Sequence, residues 1–282
     1  MIKLVEQPSE LRSALDDVRL QGRKIGFVPT MGNLHAGHIA LVKEAQSHCD
    51  VVVVSIFVNP LQFNNSDDLA NYPRTLEQDV AALNQAGADF VFTPSAEALY
   101  PNGLETETKV TVPVLSDILE GELRPGHFDG VSTVVCKLFN LVQPHLAVFG
   151  EKDYQQLALI RKMTTDLLLP IEIIGLPTVR EASGLAMSSR NNRLSAEQLQ
   201  TAPLLAKEMR QIAAKLSRNN QAELSQSAKQ ALEKMGFKCD GIDIVDAENL
   251  SPLTPQSRSA VILMAAFLGE VRLIDNCVIE LH

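Results

Sequence analysis

The sequence predicts an α/β fold, a doubly wound parallel sheet followed by a smaller α+β domain with a short antiparallel sheet. Three observations carry this expectation. Short apolar runs alternate with amphipathic helical segments between residues 24 and 177. The clearest run, DVVVVSIF (50–57), is dominated by β-branched residues, as strands buried on both faces are. Beyond about residue 180 the alternation stops, and helical stretches give way to three β-rich segments.

Each element follows from its own pattern. KIGFVP (24–29) reads as a strand and GHIALVKEAQS (37–47) as a helix, with Ile39, Leu41, Val42 and Ala45 near helical spacing. With 50–57 they make a βαβ unit. Thr75 with Gln78 is a capping-box pattern opening a helix that carries Leu76, Val80 and Leu83 and stops at Gly87. ADFVFTP (88–94), HLAVFG (145–150) and IEIIGLP (171–177) read as strands, and 131–142 and 153–168 as helices. Residues 94–130 are rich in Pro and Gly and read as an excursion; RPGHFDG (124–130), with Arg124 and His127, is a candidate mobile loop. Ser195 with Gln198 is a second capping box, leading one helix with Leu204, Met209, Ile212 and Leu216. A helix over 221–236 and strands over 242–247, 260–268 and 271–281 follow, with a hairpin at Gly269-Glu270. The expected division is a Rossmann-like domain over 1–178 and a small α+β lid domain over 179–282.

Composition narrows the function. Apolar residues make up 45% and charged residues 21% of the 282, so a packed core is expected and long disorder is not. A net charge of −9 argues against a protein that coats nucleic acid or an anionic membrane, but leaves room for a local anion site. No apolar run reaches the roughly 20 residues of a membrane span, and the start lacks the apolar core of a signal peptide. Cys49, Cys136, Cys239 and Cys277 have neither metal-ligand nor redox spacing and read as buried reduced thiols. A cytoplasmic protein is expected.

Chemistry concentrates at strand-to-helix junctions, where open α/β sheets bind ligands. In VPTMGNLHAGH (28–38), Gly32 lets the backbone turn and Gly37 lets a phosphate approach the N–H groups of the helix start. His35 and His38, three apart, can point the same way and donate to phosphate oxygens. The bland alternative is that they only cap the helix. A P-loop is absent, and zinc lacks a third ligand nearby. FGEKDYQQ (149–156) offers Lys152 for phosphate charge, Asp153 for the helix start or ribose hydroxyls, and Gln155 and Gln156 as neutral hydrogen-bonding groups. AMSSR (186–190) sets two hydroxyls and a guanidinium beside Gly184 and can wrap a triphosphate, or be a plain surface turn. In NPLQF (59–63), Gln62 falls at the same sheet edge as the histidines.

These segments, with NYPRTLEQD, LEGELRPGHFDGVSTVV and KLFNLVQP, closely resemble the pantoate–β-alanine ligase family, within the His-x-Gly-His nucleotidylyltransferase superfamily. The resemblance implies an ATP-dependent enzyme with Mg²⁺. Pantoate attacks the α-phosphorus to form pantoyl adenylate, and β-alanine then displaces AMP. It implies catalytic roles for His38, His35, Lys152 and Arg190. It further implies an ATP site of Met31, Gly32, Asn33, Leu34, His35, Ala36, Gly37, His38, Gly150, Glu151, Lys152, Asp153, Val179, Met187, Ser188, Ser189 and Arg190. Gln62 and Gln156 would hold pantoate, with Gln62 also facing β-alanine, and a homodimer is implied. Asp79 is a weaker candidate near Mg²⁺ and reads equally as a solvated acid. Transfer of AMP onto a retained product, or ATP sensing without turnover, are the rival functions.

Overall fold

The computed structural model describes residues 2–64 and 66–281. It divides into two compact units. One comprises the chain up to Gly150 together with Gln155–Leu176, and the other Glu151–Tyr154 together with the chain from Pro177 onward.

In the first unit the elements run β1 (Lys3–Val5), α1 (Pro8–Leu20), β2 (Ile25–Thr30), α2 (Ala36–His48), β3 (Val51–Ile56), α3 (Ser66–Ala70), α4 (Leu76–Ala86), β4 (Phe90–Phe92), α5 (Ala96–Leu99), α6 (Glu120–Leu123), α7 (His127–Val142), β5 (Leu146–Gly150), α8 (Tyr154–Asp166) and β6 (Glu172–Leu176). Among the described residues the six strands form one parallel sheet in the order β1-β4-β3-β2-β5-β6. From β2 the chain builds toward β4 on one side and, from β5, toward β6 on the other. The carboxyl ends of β2 and β5 therefore flank the point where the winding reverses, the place where such sheets bind ligands.

Both faces of the sheet are covered, which is why β2 and β3 carry apolar residues at nearly every position. Val28, Val52 and Val54 pack with Leu41, Val42 and Ala45 of α2 and Leu83 of α4. On the opposite face Phe27, Phe139 and Phe149 meet edge-on, with centroids 6.3 and 6.4 Å apart. Gly26 lets α2 come close, since a Cβ there would lie 3.2 Å from Cys49.

The second unit holds α9 (Ala196–Thr201), α10 (Pro203–Lys215), α11 (Gln221–Lys234), β7 (Lys238–Asp246), β8 (Ser259–Leu268) and β9 (Val271–Glu280). The three strands form an antiparallel sheet in sequence order. One face, with Ala260, Ile262, Met264, Ala266, Val271 and Leu273, packs on Leu205, Met209 and Ile212 of α10 and Leu232 of α11. Gly269, at φ +60°, makes the β8–β9 turn.

Several sequence expectations need correction. β1 and α1 lie outside the expected elements; β1 is too short to show a period, although Leu11, Leu15 and Val18 of α1 line one buried face. Thr75 does not form a capping box: its side chain caps no amide and bonds Asp79 instead. Residues 124–130 are packed rather than loose, because His127 opens α7 as a buried residue and Arg124 bonds Glu120 and His127. The single helix expected after Ser195 is two, divided at Ala202 with Pro203 beginning α10, where a missing N–H costs nothing. The Ser195–Gln198 capping box is present in both directions. No helix among the described residues is long and apolar enough to cross a membrane.

Candidate active site

The histidine turn begins where β2 ends. Thr30 Oγ1 donates to the Ser55 carbonyl (2.7 Å) and accepts the Gly32 amide (3.2 Å). Gly32 and Asn33 follow with φ of +84° and +49°. Two successive left-handed residues aim adjacent amides in one direction, and the Asn33 and Leu34 N–H groups donate to the two carboxylate oxygens of Asp79 (2.9 and 2.8 Å). Thr75 Oγ1 is a third donor at 3.2 Å. Asp79 is only 3% exposed, so it is not a solvated acid. Its charge is balanced by donors from the turn, and it clamps that turn rather than facing outward. Asp79→Asn puts an NH₂ against an amide N–H, a loss of about 1–3 kcal/mol. Denaturant unfolding checks this; an unchanged midpoint would mean that the two amides find other acceptors.

His35, extended at φ −133° and ψ 176°, is the N-cap of α2. Its Nδ1 accepts the Gly37 amide (3.1 Å), and His38 Nδ1 accepts the His35 amide (3.2 Å). This is a capping box built from two imidazoles, with ring centroids 4.1 Å apart. Capping and ligand binding are thus compatible. With Nδ1 of each neutral ring accepting, the ring hydrogen sits on Nε2, a donor suited to a phosphate oxygen. Ala36 between them is exposed and small.

Gln62 is set by a network that sequence reasoning missed. Asn59, 1% exposed, accepts from Tyr100 Oη (2.8 Å) and the Leu61 amide (3.3 Å), and donates to the Gly130 carbonyl (3.0 Å) and Gln62 Oε1 (3.2 Å). Gln62 Nε2 donates to Met31 Sδ (2.9 Å), which joins the Gln62 segment to the histidine turn. His127 Nδ1 meets the Gln62 carbonyl at 2.8 Å. Burial, reinforced by Glu107, pushes the Tyr100 hydroxyl pKa up and keeps it a donor. The Asn59-Pro60 pair marked a turn, but nothing local showed that its amide reaches α7. Gln155 turns inward, bonding the Leu115 and Ile118 carbonyls and the Glu120 amide, whereas Gln156 beside it is partly exposed.

In the second unit, Glu151–Asp153 forms a 3-10 turn directly after β5, with Lys152 Nζ 3.8 Å from Asp153. At Gly150 a Cβ would meet nothing within 4 Å. Residues 179–187 form a tight hairpin: the Met187 amide bonds the Val179 carbonyl (3.0 Å), Arg180 pairs with Ala186, and Gly184 turns at φ +91°. Ser188 then caps the 3-10 helix Ser189–Arg193 by accepting the Arg190 amide (3.2 Å). Asn191 bonds the Ala186 carbonyl from a buried position, so this stretch is a built turn rather than a plain surface one.

All four cysteines are unpaired and partly rather than fully buried. Desolvation pushes each thiol upward, making it a weak nucleophile at neutral pH. Among the described residues no three His, Cys, Asp or Glu side chains are grouped to hold a metal.

Comparison with known proteins identifies the family. A family model described as pantoate-beta-alanine ligase matches residues 3–278. A pantothenate synthetase of Aeromonas hydrophila is 58% identical over 280 residues, covering 99% of this chain and 98% of that protein. One from Aliivibrio fischeri is 56% identical over 273 residues, covering 96% and 94%. The crystal structure of pantothenate synthetase from Thermus thermophilus matches with a TM-score of 0.88 and 45% identity, covering 98% of this chain and 99% of that one. A pantoate-beta-alanine ligase from Francisella tularensis, complexed with beta-gamma ATP and beta-alanine, matches with a TM-score of 0.82 and 37% identity, covering 98% and 97%. With a match running through both units at this identity, the chain belongs to the pantoate–β-alanine ligase family.

Proposed function

We propose that the imidazole-capped turn and the Gln62 segment carry the two-step chemistry of this family. The chain is an AMP-forming ligase that condenses (R)-pantoate with β-alanine. In the first step a pantoate carboxylate oxygen bonds to the α-phosphorus of ATP, and the bond to the β-phosphate bridging oxygen breaks. Pyrophosphate leaves with that electron pair, and pantoyl adenylate remains. In the second step the free amine of β-alanine attacks the acyl carbon, the acyl–oxygen bond breaks, and AMP leaves. The nitrogen gives one proton to water as the amide forms. Neither step needs a protein nucleophile, so catalysis is positioning and charge stabilisation.

The observation that carries this reading is the reciprocal His35–His38 cap, which assigns the hydrogen of each neutral ring to Nε2. These donors serve the phosphate oxygens as charge builds on the leaving pyrophosphate; His38 acts there by hydrogen-bond donation from Nε2, since a ring whose Nδ1 accepts the His35 amide has no second proton to give up. Met31–His38, Gly150–Asp153, Val179 and Met187–Arg190 line the ATP site, with Lys152, Ser188, Ser189 and Arg190 on the phosphates. Gln62 and Gln156 hold pantoate, and Gln62 also meets β-alanine. A neutral amide orients a carboxylate without damping its nucleophilicity as a bidentate guanidinium does. Mg²⁺ enters with ATP as MgATP, held chiefly by phosphate oxygens; Asp79, turned to its three donors, is better suited to holding the turn than to holding the ion. A cytoplasmic homodimer completes the reading, on the resemblance to the family and the use of ATP.

Incubation with ATP and pantoate, with and without β-alanine, tests this. AMP should appear in step with pantothenate and only when β-alanine is present. AMP kept on the product, or none released, would point to nucleotidyl transfer or to a sensor.

A further inference from the structure

We infer that Asn276, on β9, is a positioning residue for Lys152, an inference that rests on the phosphate role proposed for that lysine. The Asn276 side-chain amide donates to two consecutive carbonyls, those of Glu151 and Lys152, each at 2.8 Å. Asn276 is 7% exposed in a strand otherwise rich in apolar residues. A buried primary amide has two hydrogens to satisfy, and both go to this one turn. Fixing the carbonyls on either side of the Lys152 Cα fixes the peptide planes that aim its side chain.

Asn276 is itself anchored. Its backbone amide donates to Asp275 Oδ1 (2.8 Å), and the Asp275 carboxylate takes Arg180 in a bidentate pair at 2.7 and 2.8 Å. Successive strand residues project to opposite faces. Asp275 thus shares the side of Val271 and Leu273 and holds the 179–187 hairpin, while Asn276 reaches from the other side to the 151–153 turn. One dipeptide thus holds the backbone of the Lys152 turn and, through the Arg180 side chain, the hairpin that leads into Ser188–Arg190. An ordinary satisfied core asparagine would need only the nearest acceptors; here both acceptors flank the residue that carries the charge.

The test is a double-mutant cycle on the full-length enzyme with Asn276→Asp and Lys152→Ala. Aspartate keeps the shape but sets oxygen against two carbonyl oxygens, which displaces the turn. Misplacing a catalytic group by about 1 Å costs on the order of 10²-fold. Asn276→Asp should therefore lower kcat by about 10- to 100-fold while the pantoate KM changes less than about twofold. In the Lys152→Ala background the same change should cost no more than about twofold, because the group it positions is gone. Equal losses in both backgrounds would overturn the inference and leave Asn276 a general stabiliser. If Lys152→Ala alone leaves turnover intact, the phosphate role of Lys152 fails and the inference fails with it, a result visible before Asn276 is changed. Asn276→Ser, which keeps one donor, guards against a misfolded aspartate variant; it should show a smaller loss with the same dependence on Lys152, and independence from Lys152 would again overturn the inference.

Discussion

His38→Ala lowers the rate of pantoyl adenylate formation by about 10²-fold or more, the loss that follows removal of one preorganised donor to developing negative charge. The geometry says why this residue has two functions and how to separate them. Its Nδ1 accepts the His35 amide, and its Nε2 is the donor side. Alanine removes both, and the lost cap contributes about 1 kcal/mol of stability. His38→Asn sets an amide oxygen near the former Nδ1 and removes the Nε2 donor. It should therefore regain most of the stability and little of the rate. Pre-steady-state pyrophosphate release and thermal unfolding of both variants check this. A His38→Asn enzyme with near-normal rates would make capping the whole function of the residue.

Gly130→Ala should displace the backbone that carries Gln62. A Cβ on Gly130 would lie 2.4 Å from the Leu61 carbonyl oxygen and 2.7 Å from the Gln62 amide nitrogen. These are backbone atoms, so no side-chain rotation relieves the overlap, and either α7 or the 61–62 segment must move. Overpacking of this kind costs about 1–3 kcal/mol. Here the displaced atoms carry Gln62, and the Asn59 bond to the Gly130 carbonyl is strained with them. The pantoate KM should rise at least about tenfold, more than the ATP KM, with Gln62→Ala changing the two in the same order. Kinetics with each substrate varied in turn measure this. Equal rises for ATP and pantoate would mean that the Gln62 segment is misassigned.

Long elements were legible in the sequence because burial on both faces leaves a simple record. β3 and α7 are apolar enough to declare themselves. β1 was not legible, since three residues carry no period, and its place at the sheet edge depends on pairing with β4 far along the chain. The split between α9 and α10 was written in Pro203, but the capping box before it suggested one continuous helix.

At the candidate site, the segments whose chemistry is local stood out in the sequence. His35, His38, Lys152 and Ser188–Arg190 sit in short segments with distinct side chains. The groups that hold them did not stand out, because each acts across a large sequence separation. Asp79 reaches the amides of Asn33 and Leu34, Tyr100 reaches Asn59, and Asn276 reaches Glu151 and Lys152. A buried acid on a helix looks like a solvated one until the turn it faces is known. The one available signal was the Asp275-Asn276 pair inside an apolar strand, where two polar groups must find partners.

The measurement that bears most directly on the central claim follows oxygen from pantoate. Pantoate labelled with ¹⁸O in its carboxylate is converted with ATP and β-alanine, and the products are analysed by mass. Attack of the carboxylate on the α-phosphorus, followed by expulsion of AMP from the acyl carbon, transfers one labelled oxygen to AMP and none to pyrophosphate. Label found in inorganic phosphate or pyrophosphate, with unlabelled AMP, would contradict a pantoyl adenylate and the roles assigned to His35, His38 and Lys152 in forming it.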